Sequence, residues 1–378
     1  MIVQHMLKWI DTARVAERAA AADALARAYV TSQLGFEERC AAEGLLTLLL
    51  DDPSPKVRLA IAEPLSLTDR APLQVIHGLA MDQPEVAAPI LALSPMLSDA
   101  DLIERLGETV PANQRLIASR ARVSMELSAA IAELCDAAAC MELVANSGAA
   151  IASVSFRRMA ERHGHAGELR DMLLRDERVP ADTRHLLLVM LGEALRASPL
   201  VSALMSKQRA DRLFHEACSK ASLTLIDATD PEEHAALVEH LRIRGDLTTA
   251  FVARLVAYGK IDFFGAVLVA LTGRPASRIR GILASGRDVA VAATLRAAGM
   301  PEASHVAVAA ALGLWREVAN GKRVAGAQEV SWLMMKSAEA GTDRSDKAAG
   351  ELASLFRSIH LEALRDNARG HALAMAAA

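Results

Sequence analysis

The sequence predicts an all-α protein: an α-solenoid of antiparallel helix pairs in a right-handed superhelix, followed by a C-terminal helical domain. Three observations carry this expectation. Hydrophobic residues fill 52% of the 378 positions while aromatics fill only 3%, so the core is built from Ala, Leu, Val, Ile and Met, a mix that suits close-packed helices better than sheets. Apolar residues recur at i, i+3, i+4 spacing in short runs. Acid–proline starts and glycine stops punctuate those runs.

The grammar is plainest in 51-DDPSPKVRLAIAEPL-65. Pro53 and Pro55 fit a turn and a first helical residue, where the missing N–H costs nothing. Asp51 or Asp52 can accept from the free N–H groups of the helix start. Val57, Ala60 and Ile61 share one face, and Pro64 closes the helix. The same pattern returns in 82-DQPEVAAPILAL-93, more loosely in 111-PANQRLIASRA-121, then in 146-NSGAAIASVSFRRM-159 and 180-PADTRHLLLVML-191. With Val57, Val86, Ile117, Ile151 and Leu186 as anchors, the steps are 29, 31, 34 and 35 residues. Companion helices lie between them, at 68-TDRAPLQVIHGLA-80 and at 98-SDADLIERLG-107, where Ser98 and Asp101 have capping-box spacing. Each unit is therefore helix–turn–helix, the rhythm of a helical repeat array.

The run Asp52–Pro53–x–Pro55–x–Val57–Arg58–x–x–Ile61–Ala62 resembles the second-helix signature of HEAT-like repeats. The resemblance implies a ladder between neighbouring repeats built from the acid and the arginine, here Asp52 and Arg58 beside the core position Val57. Asp82 and Val86 match in the next unit, where Ala87 stands in place of the arginine. The steps fall short of the roughly 40–47 residues of full HEAT units.

Beyond about residue 195 the rhythm changes, which sets the expected domains at 1–195 and 196–378. A long helical stretch, 203–228, ends at 229-TDPEEH-234. In 245–301, Asp246, Asp262 and Asp288 read as caps, Gly259, Gly273, Gly286 and Gly299 as helix stops, and Pro301 follows the last. This segment, through Gly245–Asp246–Leu247, Phe263–Phe264, Gly273–Arg274–Pro275 and Ala297–Ala298–Gly299–Met300–Pro301, resembles an uncharacterised alphaproteobacterial family of HEAT-like helical proteins, domain of unknown function 2336. The likeness spans roughly residues 50–301 and implies a fold but no activity. The tail predicts a helix near 326–340, a polar break at 341–347, a last helix near 348–368 and a frayed end.

Composition narrows the function. The net charge of −4 lacks the dense basic face of a duplex-binding protein. Cys40, Cys135, Cys140 and Cys218 are scattered; they make a poor zinc signature and predict reduced structural thiols. The first residues lack a signal peptide's apolar core, and no stretch reaches the roughly 18 apolar residues of a membrane span, so a cytoplasmic protein is expected. The richest apolar run, 303–315, predicts a buried helix.

The sharpest charge cluster is 157-RRMAERHGH-165. Arg158 and Arg162 are one turn apart, and Arg157 or Arg158 could align with Arg184 along a concave surface suited to an acidic protein segment or a phosphorylated ligand. A solvated face laced by Glu161, Glu168, Asp171, Asp176 and Glu177 is the competing expectation. His163 and His165 could ligate a metal with His185, but nothing completes the set, so no metal and no cofactor are expected. A second basic patch, Arg274 and Arg278 with Arg280 and Arg287, surrounds a helix start after Pro275. Nucleophile elbows, phosphate loops and zinc helices are missing from the sequence. A DNA glycosylase on HEAT-like repeats would need a basic, aromatic concave surface, whereas Trp9, Trp315 and Trp332 lie at the chain ends. The tail stripe Leu352, Leu355, Phe356, Ile359 and Ala363 predicts a cap on the array or a homodimer contact through 348–367. The expected function is non-catalytic: an interaction scaffold for a protein partner, with an anionic-ligand sensor as the alternative and nucleic-acid binding disfavoured.

Overall fold

Prolines and small polar caps start most helices of the first half. A computed structural model describes residues 9, 12–285, 287–340 and 347–377. Among the described residues there are 22 α-helices and one 3₁₀ turn, and the single β contact is an isolated bridge between Val123 and Ala149. The protein is all-α. It forms two compact units, residues 1–179 and 180–378.

The first unit holds α1 (Val15–Thr31), α2 (Phe36–Leu49), α3 (Pro55–Leu65), α4 (Leu73–Ala80), α5 (Pro84–Leu93), α6 (Asp99–Leu106), α7 (Pro111–Ala118), α8 (Met125–Leu134), α9 (Ala137–Ala145), α10 (Ser153–His163) and α11 (Gly167–Arg175). Pro55, Pro84 and Pro111 occupy first-turn positions. Ser98, Ser124 and Asp136 accept from backbone N–H groups three residues on. The odd-numbered helices pack each on the second along, α1 on α3 through to α9 on α11, and α6, α8 and α10 do the same in the other layer. Val57, Val86 and Ile117 are wholly buried in this stack.

The later anchors lose phase. The odd helices from α3 onward start at residues 55, 84, 111, 137 and 167, so the true steps are 29, 27, 26 and 30. Ile151 precedes α10 in the opposite layer, and Leu186 falls in the second unit. The unit between was hidden because α9 opens on the cap Asp136 rather than on a proline and buries Ala139, Cys140, Leu143 and Val144.

Polar ties run along the stack. Arg18 grips the Asp52 carboxylate at 2.7 and 3.0 Å, and Arg58 does the same to Asp82 while also donating to the Asp52 carbonyl. The acid–arginine ladder therefore has two rungs, each joining one unit's arginine to the next unit's acid. Ala87 ends it. Beyond that point side chains reach back to carbonyls at the end of a preceding helix: Arg120 to Leu91 and Ser94, Asn146 to Ala118 and Arg120, Arg178 to Val144. These satisfy orphan helix-end carbonyls that burial would otherwise penalise. Asp52 itself accepts from Ser54 N–H and caps the turn before α3, not the helix.

The second unit holds α12 (Ala181–Arg196), α13 (Pro199–Leu204), α14 (Lys207–Asp227), a 3₁₀ turn (Pro231–Glu233), α15 (His234–Arg244), α16 (Thr249–Ala257), α17 (Ile261–Thr272), α18 (Ala276–Ser285), α19 (Asp288–Ala297), α20 (Glu302–Ala319), α21 (Ala327–Ala340) and α22 (Lys347–Ala377). The boundary lies earlier than position 195 because α12 packs on α14 and α15 and shares their core. Met205, in extended conformation, splits the stretch expected as one long helix. Gly245, Gly259, Gly273 and Gly299 take left-handed φ of 66–77° as helix stops; Gly286 lies outside the described residues. Asp262 and Asp288 fall inside first turns rather than at caps, and Thr248 caps α16 instead of Asp246. Helix α16 is the hub: it touches α17, α20, α21 and α22 and buries every residue from Phe251 to Ala257 except Arg254. The apolar run 303–315 forms the buried part of α20, and among the described residues no helix is long and apolar enough to cross a membrane. The polar break at 341–346 lies outside the described residues.

Candidate functional site

Helix α10 carries Arg157, Arg158, Arg162 and His163, and its packing on α8 decides what they do. Arg157 pairs with Glu161 one turn on at 3.0 Å. Arg158 binds Glu133 of α8 through two nitrogens, the longer contact at 2.8 Å. Arg162 donates to the carbonyls of Ala132 and Cys135 at 2.6 and 3.0 Å, and His163 Nε2 bonds the Cys135 carbonyl at 3.1 Å. Burial holds the His163 pKa below its ordinary value. His165 lies on the turn beyond, its ring 6.4 Å from that of His163. Arg162 and His163 thus cap the end of the neighbouring helix and Arg158 pairs with its Glu133 side chain, while Arg184 sits half-buried on α12 in the other unit.

A different feature of the same layer is open. Because Arg162 meets the last turn of α8, α8 and α10 run parallel and their first turns lie side by side. Helices α2 and α4 run parallel too, since a Cβ on Gly78 late in α4 would stand 2.8 Å from Leu50 just past α2. The first turns of these four helices carry Phe36, Leu73, Met125 and Val154, which are 83%, 50%, 55% and 70% exposed. Each of these four helices thus leaves a large apolar side chain in water at its start. The sequence hid them, because a first-turn apolar residue looks like part of the core stripe.

In the second unit, α15, α17, α18 and α20 enclose an open groove of about 1030 Å³. Small residues on α17 and α18, among them Gly265, Ala266, Ala270 and Ala276, leave the space; Val238, Ile279, Leu283, Leu312 and Trp315 line it. Trp315 is locked by its indole N–H, which donates to the Val256 carbonyl at 2.7 Å. It packs where only a glycine fits: Gly259 has φ of 74°, and a Cβ there would stand 2.9 Å from the indole ring. Arg280 and Arg316 border the groove. Of the second basic patch, Arg274 ties the start of α18 to Thr294 of α19 at 3.0 Å, and Arg278 is exposed.

A buried relay joins α15 to two other helices of this unit, α12 and α14. His240 Nε2 lies 3.2 Å from His185 Nδ1, and His185 Nε2 lies 2.9 Å from Ser222 Oγ, which donates to the Cys218 carbonyl at 2.8 Å. Since Ser222 spends its proton on Cys218, His185 must donate to Ser222 and accept from His240. Burial, then the neighbouring His240, push the His185 pKa down to about 4. The serine is held as an acceptor rather than activated as a nucleophile. Partners 37 and 55 residues apart leave no periodic trace in the sequence.

Among the described residues no group of three or more potential ligands converges on a metal position. Cys135 and Cys140 are buried, which pushes their pKa values up to about 12 and about 11. The tail stripe Leu352, Phe356, Ile359 and Ala363 is buried within the second unit. Arg254 clasps Glu362, Tyr258 donates to Asp366, and Lys220 pairs with Asp366, so the face considered for homodimer contact is occupied by the protein's own core.

A family model described as an uncharacterised protein conserved in bacteria, domain of unknown function 2336, matches residues 86–345. No curated protein and no solved structure matches the chain. The match begins at α5 and runs past the end of α21, beyond the 50–301 span of the motifs at its C-terminal side. The chain belongs to this uncharacterised bacterial family.

Proposed function

We propose that the protein is a non-catalytic interaction scaffold of the bacterial cytoplasm, acting in signalling or regulation, whose HEAT-like stack recruits a protein partner. The observation that carries this reading is the exposure of Phe36, Leu73, Met125 and Val154 at the starts of α2, α4, α8 and α10, with Asp99 at the start of α6 between the two pairs. A stack of short helices presents an extended surface rather than an enclosed pocket. Apolar groups spaced along such a surface favour a long protein segment over a compact metabolite. The arginines of α10 support the scaffold by fixing α10 to α8, and no binding role is assigned to them. Photo-cross-linking tests the reading: a cross-linker placed at Met125 or Val154 captures one defined protein in the native cytoplasm, and a cross-linker at Arg175 does not. Equal labelling from both places would remove the edge from the account.

A further inference from the structure

The groove of the second unit has the make-up of a ligand site, and this inference stands apart from the partner edge on the first unit. Small-ligand clefts run to roughly 300–1,000 Å³ and combine an apolar lining with a few placed polar groups. Here the cavity is about 1030 Å³ and its floor is apolar. Its charges are unequal. Glu239 is spent on Arg242, with both contacts at 2.7 Å. Asp262 sits in the first turn of α17, where the helix N-terminus balances it. His234 faces the Phe263 ring. Two guanidiniums remain: neither Arg280 nor Arg316 pairs with a carboxylate among the described residues. Arg316 is fixed by Nε donating to the Leu283 carbonyl at 2.5 Å, yet its Nη2 is buried without an acceptor. The charge of Arg316 therefore lies beside the groove with no carboxylate of the described residues to neutralise it, and an anion entering the groove would lower that electrostatic cost.

We propose that this groove binds an amphipathic monocarboxylate, a long apolar chain lying over Ala266, Ala270 and Trp315 with its carboxylate between Arg280 and Arg316. The apolar lining takes the chain and excludes a bare phosphate or a nucleotide, whose polar surface would go unpaired there. The two arginines select an acid over an alcohol of equal length, because a charge-assisted hydrogen bond is about twice as strong as a neutral one.

The test uses the full-length protein with Trp9→Phe and Trp332→Phe, so that fluorescence reports Trp315. Dodecanoate, dodecanol and dodecyltrimethylammonium are titrated below their micelle thresholds, with the melting temperature as a second readout. Dodecanoate is expected to change Trp315 emission and raise the melting temperature, binding at least about tenfold tighter than dodecanol. Arg280→Met, at an exposed position, reduces that preference and leaves the unliganded melting temperature unchanged. Arg316→Met removes the preference, and Ala270→Phe on the rim blocks all binding. Equal affinity for acid and alcohol overturns the proposal, as does binding that survives Ala270→Phe. Absence of dodecanoate binding overturns it too, and so does a concentration-dependent dimer whose contact dodecanoate does not displace, which would assign the groove to a second copy.

Discussion

Acid is expected to destabilise the second unit through one side chain, His185. Its imidazole is 3% exposed, donates to Ser222 and accepts from His240. Burial and the second imidazole hold its pKa at about 4, against about 6.5 for a free histidine. Folding therefore depends on the neutral form. Its stabilisation is fully present above pH 6.5; as pH falls, the unfolded chain takes up a proton that the folded chain refuses. The loss is complete near pH 4. A displacement of about 2.5 pH units corresponds to about 3 kcal/mol, at about 1.4 kcal/mol per unit. The comparison is wild type against His185→Leu in urea unfolding at pH 7 and pH 4, followed by fluorescence in a Trp9→Phe background so that only second-unit tryptophans report. The variant is less stable at pH 7, and the gap closes by about 3 kcal/mol at pH 4. Parallel pH profiles for the two proteins would refute the assigned protonation state.

Other residues give equally direct outcomes. A Cβ at Gly148 would stand 2.1 Å from the Ala121 carbonyl oxygen, so Gly148→Ala costs about 3 kcal/mol in thermal or urea unfolding, whereas Gly44→Ala, in open space on α2, gains about 1 kcal/mol. Arg120→Met strands the Leu91 and Ser94 carbonyls and lowers first-unit stability by about 2–4 kcal/mol in the same assay. Under native conditions iodoacetamide modifies exposed Cys40, while Cys135 and Cys140 react only after unfolding, as a mass-spectrometric time course would record.

The helical class and the two kinds of punctuation were legible in the residues themselves. Pro55, Pro84 and Pro111 mark true helix starts, and Gly259, Gly273 and Gly299 mark true stops. Both signals are local, because each follows from backbone geometry within one turn. Phase was lost where the signal is not local: α9 starts on a side-chain cap, and its buried stripe includes an alanine and a cysteine. The arginine cluster misled for a related reason. The acceptors of Arg162 are backbone carbonyls 27 and 30 residues earlier, and carbonyls carry no sequence identity. The same limit hid the groove, which exists because four helices leave small residues facing one another. What distinguishes Arg316 is its place beside that apolar groove, visible only once the fold is assembled.

These ties also determine which variants are clean probes of partner binding. Arg162→Glu would release the end of α8, so charge reversal there confounds folding with binding. Exposed edge positions avoid this. The most direct measurement is affinity capture from the native cytoplasm with wild type and with Leu73→Glu/Met125→Glu/Val154→Glu as paired baits, after matching their melting temperatures. The account predicts a defined protein retained by wild type at least about tenfold more than by the variant, and the same protein cross-linked from Met125. Equal retention by the two baits would contradict the claim that the protein works as a scaffold through this edge.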